Sequence, residues 1–348
     1  MMSFVIFKIM LLSTVAFLFA WIWTPFLSRF LAKHKLGKQI RDEKSAPIYS
    51  KLHTSKKGTP TMGGILIWMT TLIVALIFFY GALLFPNTFL SQLNFLSRSQ
   101  VWLPLGALVL AAFVGMIDDY LNVRKIGPFG GGLHMRHRLL LYTLIAIVGA
   151  WWFYFKLDWD ILHIPFIGDF NIGWWYIPFF IFVIVATAFS VNEIDGLDGL
   201  AGGTLLPAFA AYGAIAAMQG KYDLATFCGV IIGSLLAFLW LNIYPAKFMM
   251  GDTGAMSLGV TLGIVAMLTN AALLLPIIGF LFVFESASVL IQVASKKIRK
   301  KKVFLSAPIH HHFEAIGWSE PTIVMRFWVI AFVTAIIGLI IAIFERGI

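Results

Sequence analysis

Charge is scarce in this sequence. Asp, Glu, Lys and Arg make up 12% of its 348 residues, where a soluble domain carries about a quarter. That shortage excludes an ordinary water-facing surface. Cysteine is almost missing too. Cys228 is the single one and lies inside an apolar run, which excludes disulfides within a chain and thiolate metal sites and leaves packing as its expected role. No segment recurs at a fixed period, so a transporter built from internal repeats gains no support. What is plentiful is apolar: 60% of residues are hydrophobic and mean hydropathy is +0.90. Together these features predict an all-α polytopic membrane protein.

Apolar runs of roughly 20 residues, long enough to span a bilayer, fall at 3–30, 62–84, 101–121, 138–157, 174–192, 200–218, 224–244, 253–270, 272–294 and 324–344. They predict about ten transmembrane helices in a single integral membrane domain, 1–348. A short break at Asn270 separates the eighth from the ninth. The stretch from Met1 to Trp23 has no strongly basic start and no small-residue cleavage pattern, and its apolar run exceeds that of a signal peptide; it is expected to be a retained first span. Segment 157–173, with Trp159, Pro165 and Phe166, predicts a short hairpin or an interfacial segment.

Basic residues crowd alternate loops. They run from Arg29 to Lys57, from Arg124 to Arg138 and from Lys296 to Lys302, with Lys247 in another loop of the same set. The intervening loops hold little beyond Arg98, Lys156 and Lys221. By the positive-inside rule the basic set is cytoplasmic and both termini are periplasmic. Most of these cations need do no more than set topology, and the 296–302 run also suits anionic headgroups. The basic excess implies no nucleic-acid partner.

The polar motifs gather on that same predicted face. Between two apolar runs stands Thr187-Ala-Phe-Ser-Val-Asn-Glu-Ile-Asp-Gly-Leu-Asp-Gly-Leu-Ala-Gly-Gly203, with Asn192, Glu193, Asp195 and Asp198. Carboxylates near bilayer depth are costly and mark a polar cavity or an ion path. Asp195 and Asp198, three apart, share a face if the stretch is helical. Gly196 and Gly199 would let backbone approach a ligand. Such hard oxygen donors suit Mg²⁺. Asp118 and Asp119 end an uncharged apolar run, where negative charge opposes the helix dipole and a cation, Mg²⁺ or lysine, would compensate. Lys56-Lys57-Gly58-Thr59-Pro60-Thr61-Met62-Gly63-Gly64 precedes the second span, where helix-start N–H groups would attract phosphate; an ordinary Thr-Pro helix opening is the alternative. Arg124 and Lys125 precede a glycine-rich segment around Pro128 and Phe129 that suits a diphosphate or a solvated loop. Asn242 lies just before Met249-Met250-Gly251-Asp252-Thr253-Gly254, where Asp252 also fits an N-cap. Ala307-Pro308-Ile309-His310-His311-His312-Phe313-Glu314 holds three of the eight histidines. Consecutive imidazoles seldom share one tetrahedral zinc, and contact with phosphate or sugar fits them better. This inventory is that of metal-assisted phosphoryl transfer between a lipid and a nucleotide-linked donor.

These motifs resemble those of the bacterial phospho-N-acetylmuramoyl-pentapeptide transferases, the MraY family of the polyprenyl-phosphate N-acetylhexosamine-1-phosphate transferase superfamily. The resemblance rests on GTPTMGG at 58–64, DDY at 118–120, NEIDGLDGLAG at 192–202, GDTG at 251–254 and APIHHHFE at 307–314. It implies a homodimer of ten-helix chains in the bacterial cytoplasmic (inner) membrane. It implies Mg²⁺-dependent transfer of phospho-MurNAc-pentapeptide from UDP-MurNAc-pentapeptide to undecaprenyl phosphate, giving lipid I and UMP. In family terms Asp252 holds Mg²⁺, Asp118 and Asp119 lie beside the lipid phosphate, and Asp118 is the base. A covalent aspartate intermediate is the competing route. Lys56, Thr61, Lys125, Asn192, Asp195, Asp198, Asn242 and Gln292 line the substrate site, and His310, His311 and His312 meet the phosphosugar. The sequence departs from the family pattern at Glu193, where Thr is usual, at Phe189, which takes an earlier Asn site, at Met249, which replaces a Phe expected to stack on uracil although Phe248 is adjacent, at Ala255, where Ser is usual, and at Arg136 and Arg138, which stand for lysines. The alternatives are a sister transferase using another UDP-N-acetylhexosamine and a cation-coupled transporter; HHHFE and GTPTMGG argue against the first.

Overall fold

Among the described residues, nine helices are long and apolar enough to cross a membrane. The computed structural model describes residues 2–34, 36–37, 56, 58–97, 100–127 and 131–345. In order come α1 (Met2–Lys33), α2 (Ile65–Leu84), the short α3 (Phe89–Gln92), α4 (Trp102–Val123), α5 (Met135–Lys156), β1 (Ile161–Ile164) and β2 (Gly168–Asn171). They are followed by α6 (Tyr176–Ile194), α7 (Leu200–Met218), α8 (Tyr222–Asn242), α9 (Gly251–Leu268), α10 (Leu275–Ile278), α11 (Phe280–Ile298), α12 (Ile309–Ala315) and α13 (Glu320–Glu345). Nine of the ten expected spans thus appear as single helices. Segment 157–173 supplies an antiparallel hairpin, Ile161 opposite Asn171 and Ile164 opposite Gly168.

The expected span 272–294 is not one straight helix. It is a pair, Ala272–Ile278 and Phe280–Ile298, bent by 82°. Pro276 lies in the first turn of α10 within the first piece, and Gly279 leaves the helical region at the junction. Neighbouring Pro and Gly are common causes of such a break. The bend turns α11 toward the end of the bundle where the motifs collect.

At the centre stands α9. Every one of its residues is buried except Asp252, at its second position. It packs against α4, α6, α7 and α2. Inside lipid there is no hydrophobic drive between helices, so close packing of small residues holds them together. Gly115 of α4 shows how close: a Cβ there would lie 2.3 Å from the Asp252 carbonyl oxygen. That contact presses the last turn of α4, with its two acids, onto the start of α9. Two of the hydroxyls that α9 buries are satisfied within the helix, Ser257 donating to the Thr253 carbonyl at 2.7 Å and Thr261 to that of Ser257 at 2.7 Å, while Thr253 donates across to the Ala112 carbonyl of α4 at 2.9 Å.

The alternating helices bring one set of ends together. The last turns of α4, α6 and α8 meet the starts of α2, α5, α7, α9 and α13 at the end that carries α12. The hairpin lies at the opposite end, where the His163 N–H donates to Asn270 Oδ1 at 3.2 Å and its ring pairs with Asp169 and Glu345.

The α4–α9 contact makes a direct test. Gly115→Ala is expected to destabilise the protein by about 1–3 kcal/mol through overpacking. Gly106→Ala on the same helix, where nothing lies within 4 Å, should be neutral or slightly stabilising. Thermal unfolding midpoints in detergent compare the two.

Candidate active site

A cavity of about 370 Å³ opens at that end. Its walls come from the end of α4 (Asp119, Asn122), the start of α5 (Arg138), the last turn of α6 (Asn192, Glu193), the α6–α7 turn (Asp195), the start of α9 (Asp252), α11 (Val289) and the start of α12 (His310, His311). Segments far apart in sequence meet here because the helices alternate in direction.

Arg138 sits at the hub. Its Nε lies 2.6 Å from Asp118 Oδ2 and its Nη2 3.1 Å from Asp252 Oδ2. The first approach is an ion pair whose N–H direction misses the oxygen, so it is charge contact without a well-aligned hydrogen bond. Nη1 donates to Asn192 Oδ1 at 3.0 Å, and Asn192 Nδ2 donates to Asp252 Oδ1 at 2.6 Å. Arg138, Asn192 and Asp252 therefore close a ring. Asp118 is fully buried; its other oxygen accepts from the Leu133 N–H at 2.7 Å. The compensating cation beside Asp118 is thus an arginine of the next helix. The sequence offered Arg138 as one of the basic groups near the glycine-rich segment and as a family departure, and the uncompensated acid Asp118 was the signal that could have singled it out.

Asp119 behaves differently from its neighbour. It faces the cavity. Thr61 donates to Oδ1 at 3.2 Å and the Thr253 N–H to Oδ2 at 3.0 Å. Gly251 has φ +74°, and a Cβ there would stand 2.6 Å from both Asp119 Oδ2 and Thr61 Oγ1. Only glycine suits that left-handed, crowded turn. The Gly251 N–H donates to Asp195 Oδ2 at 3.1 Å.

Several expectations are corrected here. The GTPTMGG segment does not present its N–H groups to an anion. Gly63 and Gly64 donate to the carbonyls of Met249 and Met250, both at 2.8 Å, Thr61 donates to that of Leu36, and Met249 donates back to Pro60. The segment clamps the GDTG turn. Asp195 and Asp198 do not share a helical face, because α6 ends at Ile194 and α7 begins at Leu200. Asp198 turns inward, accepting from Lys56 Nζ at 2.7 Å and from the Ala246 N–H at 2.9 Å, while Lys56 also pairs with Glu320. Asn242 accepts from the Gly199 N–H and donates to the Phe248 carbonyl. Gln292 accepts from the N–H groups of Val303 and Phe304 and donates to the Phe304 carbonyl. Lys56, Asp198, Asn242 and Gln292 thus lie off the cavity wall, bound to internal partners that shape it. Lys125 is exposed and away from the wall, Phe248 is buried against Phe238, and Lys57, Pro128 and Phe129 lie outside the described residues.

The three histidines divide. His310 and His311 line the cavity, while His312 accepts from the Leu305 N–H through Nδ1 and stacks edge-on with Phe304. His310 is fully buried, its Nδ1 3.0 Å from Glu285 Oε2. Its Nε2 has no hydrogen-bond partner among the described residues and packs where a side chain on Gly196 would have to go. Burial pushes the His310 imidazole down, but Glu285 more than offsets it, and the net direction is upward from the ordinary value. His311 Nδ1 pairs with Glu314 Oε2 at 2.6 Å. Glu193, Glu285 and Glu314 were not singled out as site residues from the sequence.

Residues 101–270 match the model of glycosyl transferase family 4, and residues 56–67 match phospho-N-acetylmuramoyl-pentapeptide-transferase signature 1. Proteins named phospho-N-acetylmuramoyl-pentapeptide-transferase from Chloroflexus aurantiacus, a Geobacillus species and Listeria welshimeri are 38%, 39% and 39% identical to the chain. Each alignment covers 96% of this chain, and 89%, 98% and 99% of the respective relative. The chain belongs to the phospho-N-acetylmuramoyl-pentapeptide-transferase family. It is an enzyme, a phosphoglycosyl transferase with multiple membrane-spanning helices. The family signature falls on the segment that clamps the GDTG turn and, through Thr61, Asp119, so this stretch supports the cavity from behind its wall.

The His310–Glu285 pair makes a pH test. A raised folded-state pKa gives stability that is fully present below the unfolded histidine value, about 6.5, and is lost as pH rises through the folded value. The gap in unfolding midpoint between wild type and Glu285→Gln should therefore be widest near pH 5–6 and narrow on the alkaline side. A gap that does not change between pH 5 and 9 would contradict the pairing.

Proposed function

We propose that this transferase moves phospho-MurNAc-pentapeptide from UDP-MurNAc-pentapeptide to undecaprenyl phosphate, giving lipid I and UMP, in the first membrane step of peptidoglycan synthesis. The observation that carries the reading is the cavity itself: Asp119, Asp195, Asp252, Asn192, Arg138, His310 and His311 line one pocket, in a chain of this family. The pocket lies at the bundle end where the basic loops collect, which supports a cytoplasmic site and periplasmic termini in a bacterial inner membrane. On the resemblance alone we add a homodimer and a single functional unit over 1–348.

Mg²⁺ fits the donors. Asp252 is the one residue of α9 that is not buried, and the wall around it is rich in oxygen. Mg²⁺ takes one or two carboxylates and completes its shell with water and substrate phosphate. Asp252 is the ligand we assign. When bound, the ion would neutralise charge on the diphosphate.

The chain's own residues supply the rest. Thr61 and the Thr253 N–H fix both oxygens of Asp119, so its carboxylate keeps one orientation at the cavity. This supports Asp119 as the acceptor of the lipid phosphate's proton, since Asp118, to which the resemblance gives that role, is enclosed behind Arg138. Attack of the lipid phosphate oxygen on the β-phosphorus would then expel UMP, with His310 and His311 as hydrogen-bonding partners for the donor.

Asp118→Asn, Asp119→Asn and Asp252→Asn should each lower turnover by at least about 100-fold while the protein still inserts. Detergent-purified enzyme with undecaprenyl phosphate and Mg²⁺ should release UMP from UDP-MurNAc-pentapeptide and not from UDP-GlcNAc, and EDTA should stop it. Release from UDP-GlcNAc alone would move the substrate to a sister transferase. Release from neither by folded protein would favour the transporter.

A further inference from the structure

Asp252 is not idle. Oδ1 accepts from Asn192 at 2.6 Å and Oδ2 from Arg138 at 3.1 Å, and Arg138 also donates to Asn192 at 3.0 Å. A cation that coordinates this carboxylate has to open the ring. Its arms are unequal. The Arg138–Asp252 arm is the longest, whereas Arg138 Nε stays 2.6 Å from the fully buried Asp118. Asp118 is further fixed by the Leu133 N–H at 2.7 Å and backed by Gly132, where a Cβ would come within 2.9 Å of Oδ1. The Asp118 end of the guanidinium is therefore anchored and the Asp252 end is the one that yields. Arg138 is also the sole lysine or arginine among the described residues on the cavity wall, since Lys56 is paired with Asp198 and Glu320.

We propose that Arg138 competes with the divalent cation for Asp252, and that cation capture frees its Nη2 to turn to the donor's phosphate oxygens while Nε stays on Asp118. The proposal rests on the assignment of Asp252 as the cation's ligand. An arginine fork is suited to the double task, because it serves two carboxylates at once and matches phosphate in a bidentate way; a lysine ammonium is a point charge that satisfies one partner well. Cation and diphosphate would then bind cooperatively, each supplying what the other displaces. Arg138 acts here as a positioning residue that links the two events.

The experiment uses Mn²⁺ as probe on purified protein without nucleotide sugar, with free Mn²⁺ counted by electron paramagnetic resonance. Arg138→Lys keeps the charge and removes the fork. It should bind Mn²⁺ about 10-fold more tightly than wild type, the size expected for one lost charge-assisted hydrogen bond. Asn192→Ala opens the ring with no change of charge, should show a smaller gain in the same direction, and serves if Arg138→Lys does not fold. Affinity in these variants equal to or weaker than wild type would overturn the competition. Asp252→Asn separates the two levels: it should abolish saturable binding, and Mn²⁺ bound by Asp252→Asn as tightly as by wild type would instead overturn the cation assignment itself.

Discussion

One guanidinium holds two carboxylates at the end of a membrane bundle, and the site depends on that. Asp118 has no solvent exposure and Asp252 little. Removing an unpaired carboxylate from water costs several kcal/mol even after relaxation, so the buried Asp118 gains most from a cation at contact distance. Arg138 supplies it from α5, a helix that contributes little else to the cavity. Through Asn192 the same group ties in α6. Four helices, α4, α5, α6 and α9, are thereby bound to each other at the end where chemistry is to happen, and the acids that a donor would meet are held in fixed directions.

The rest of the site is backbone engineering around α9. A helix buried at every position but one has no freedom to shift, and the exception is the acid that faces the cavity. Its first turn is gripped from one side by the carbonyl–amide exchange with Pro60, Gly63 and Gly64 and from the other by the close approach of Gly115. The residues that turn inward serve the same end. Lys56, Asp198 and Glu320 join the 56–64 segment, the α6–α7 turn and α13, and Gln292 fixes the chain that leads to His310. A cavity with this many charges keeps its shape because the polar groups behind it are satisfied.

Most of the fold was legible in the sequence because lipid imposes a simple rule: a run of some 20 apolar residues is a span. The rule gave no sign of the bend at Pro276 and Gly279, where an apolar stretch is broken into two helices at 82°. The cost of burying acids made Asp118, Asp119, Asp195 and Asp252 legible as a group. What stayed hidden was pairing. Asp198 was grouped with Asp195 because they are three residues apart, yet its partner Lys56 is 142 residues away. Arg138 lies 114 residues from Asp252, a distance over which local pattern says nothing. The glycine-rich 58–64 segment shows the same limit: helix-start N–H groups suggest an anion until the carbonyls of Met249 and Met250, brought up by α9, are seen to hold them.

The central claim, that Arg138 holds both acids, is tested most directly by double-mutant cycles on thermal unfolding, pairing Arg138→Met with Asp118→Asn and separately with Asp252→Asn. Coupling well above the roughly 0–1 kcal/mol of an exposed ion pair, and larger with Asp118 than with Asp252, is the predicted result. Additive effects in both cycles would mean that the guanidinium merely lies near the acids and that something else holds their charge.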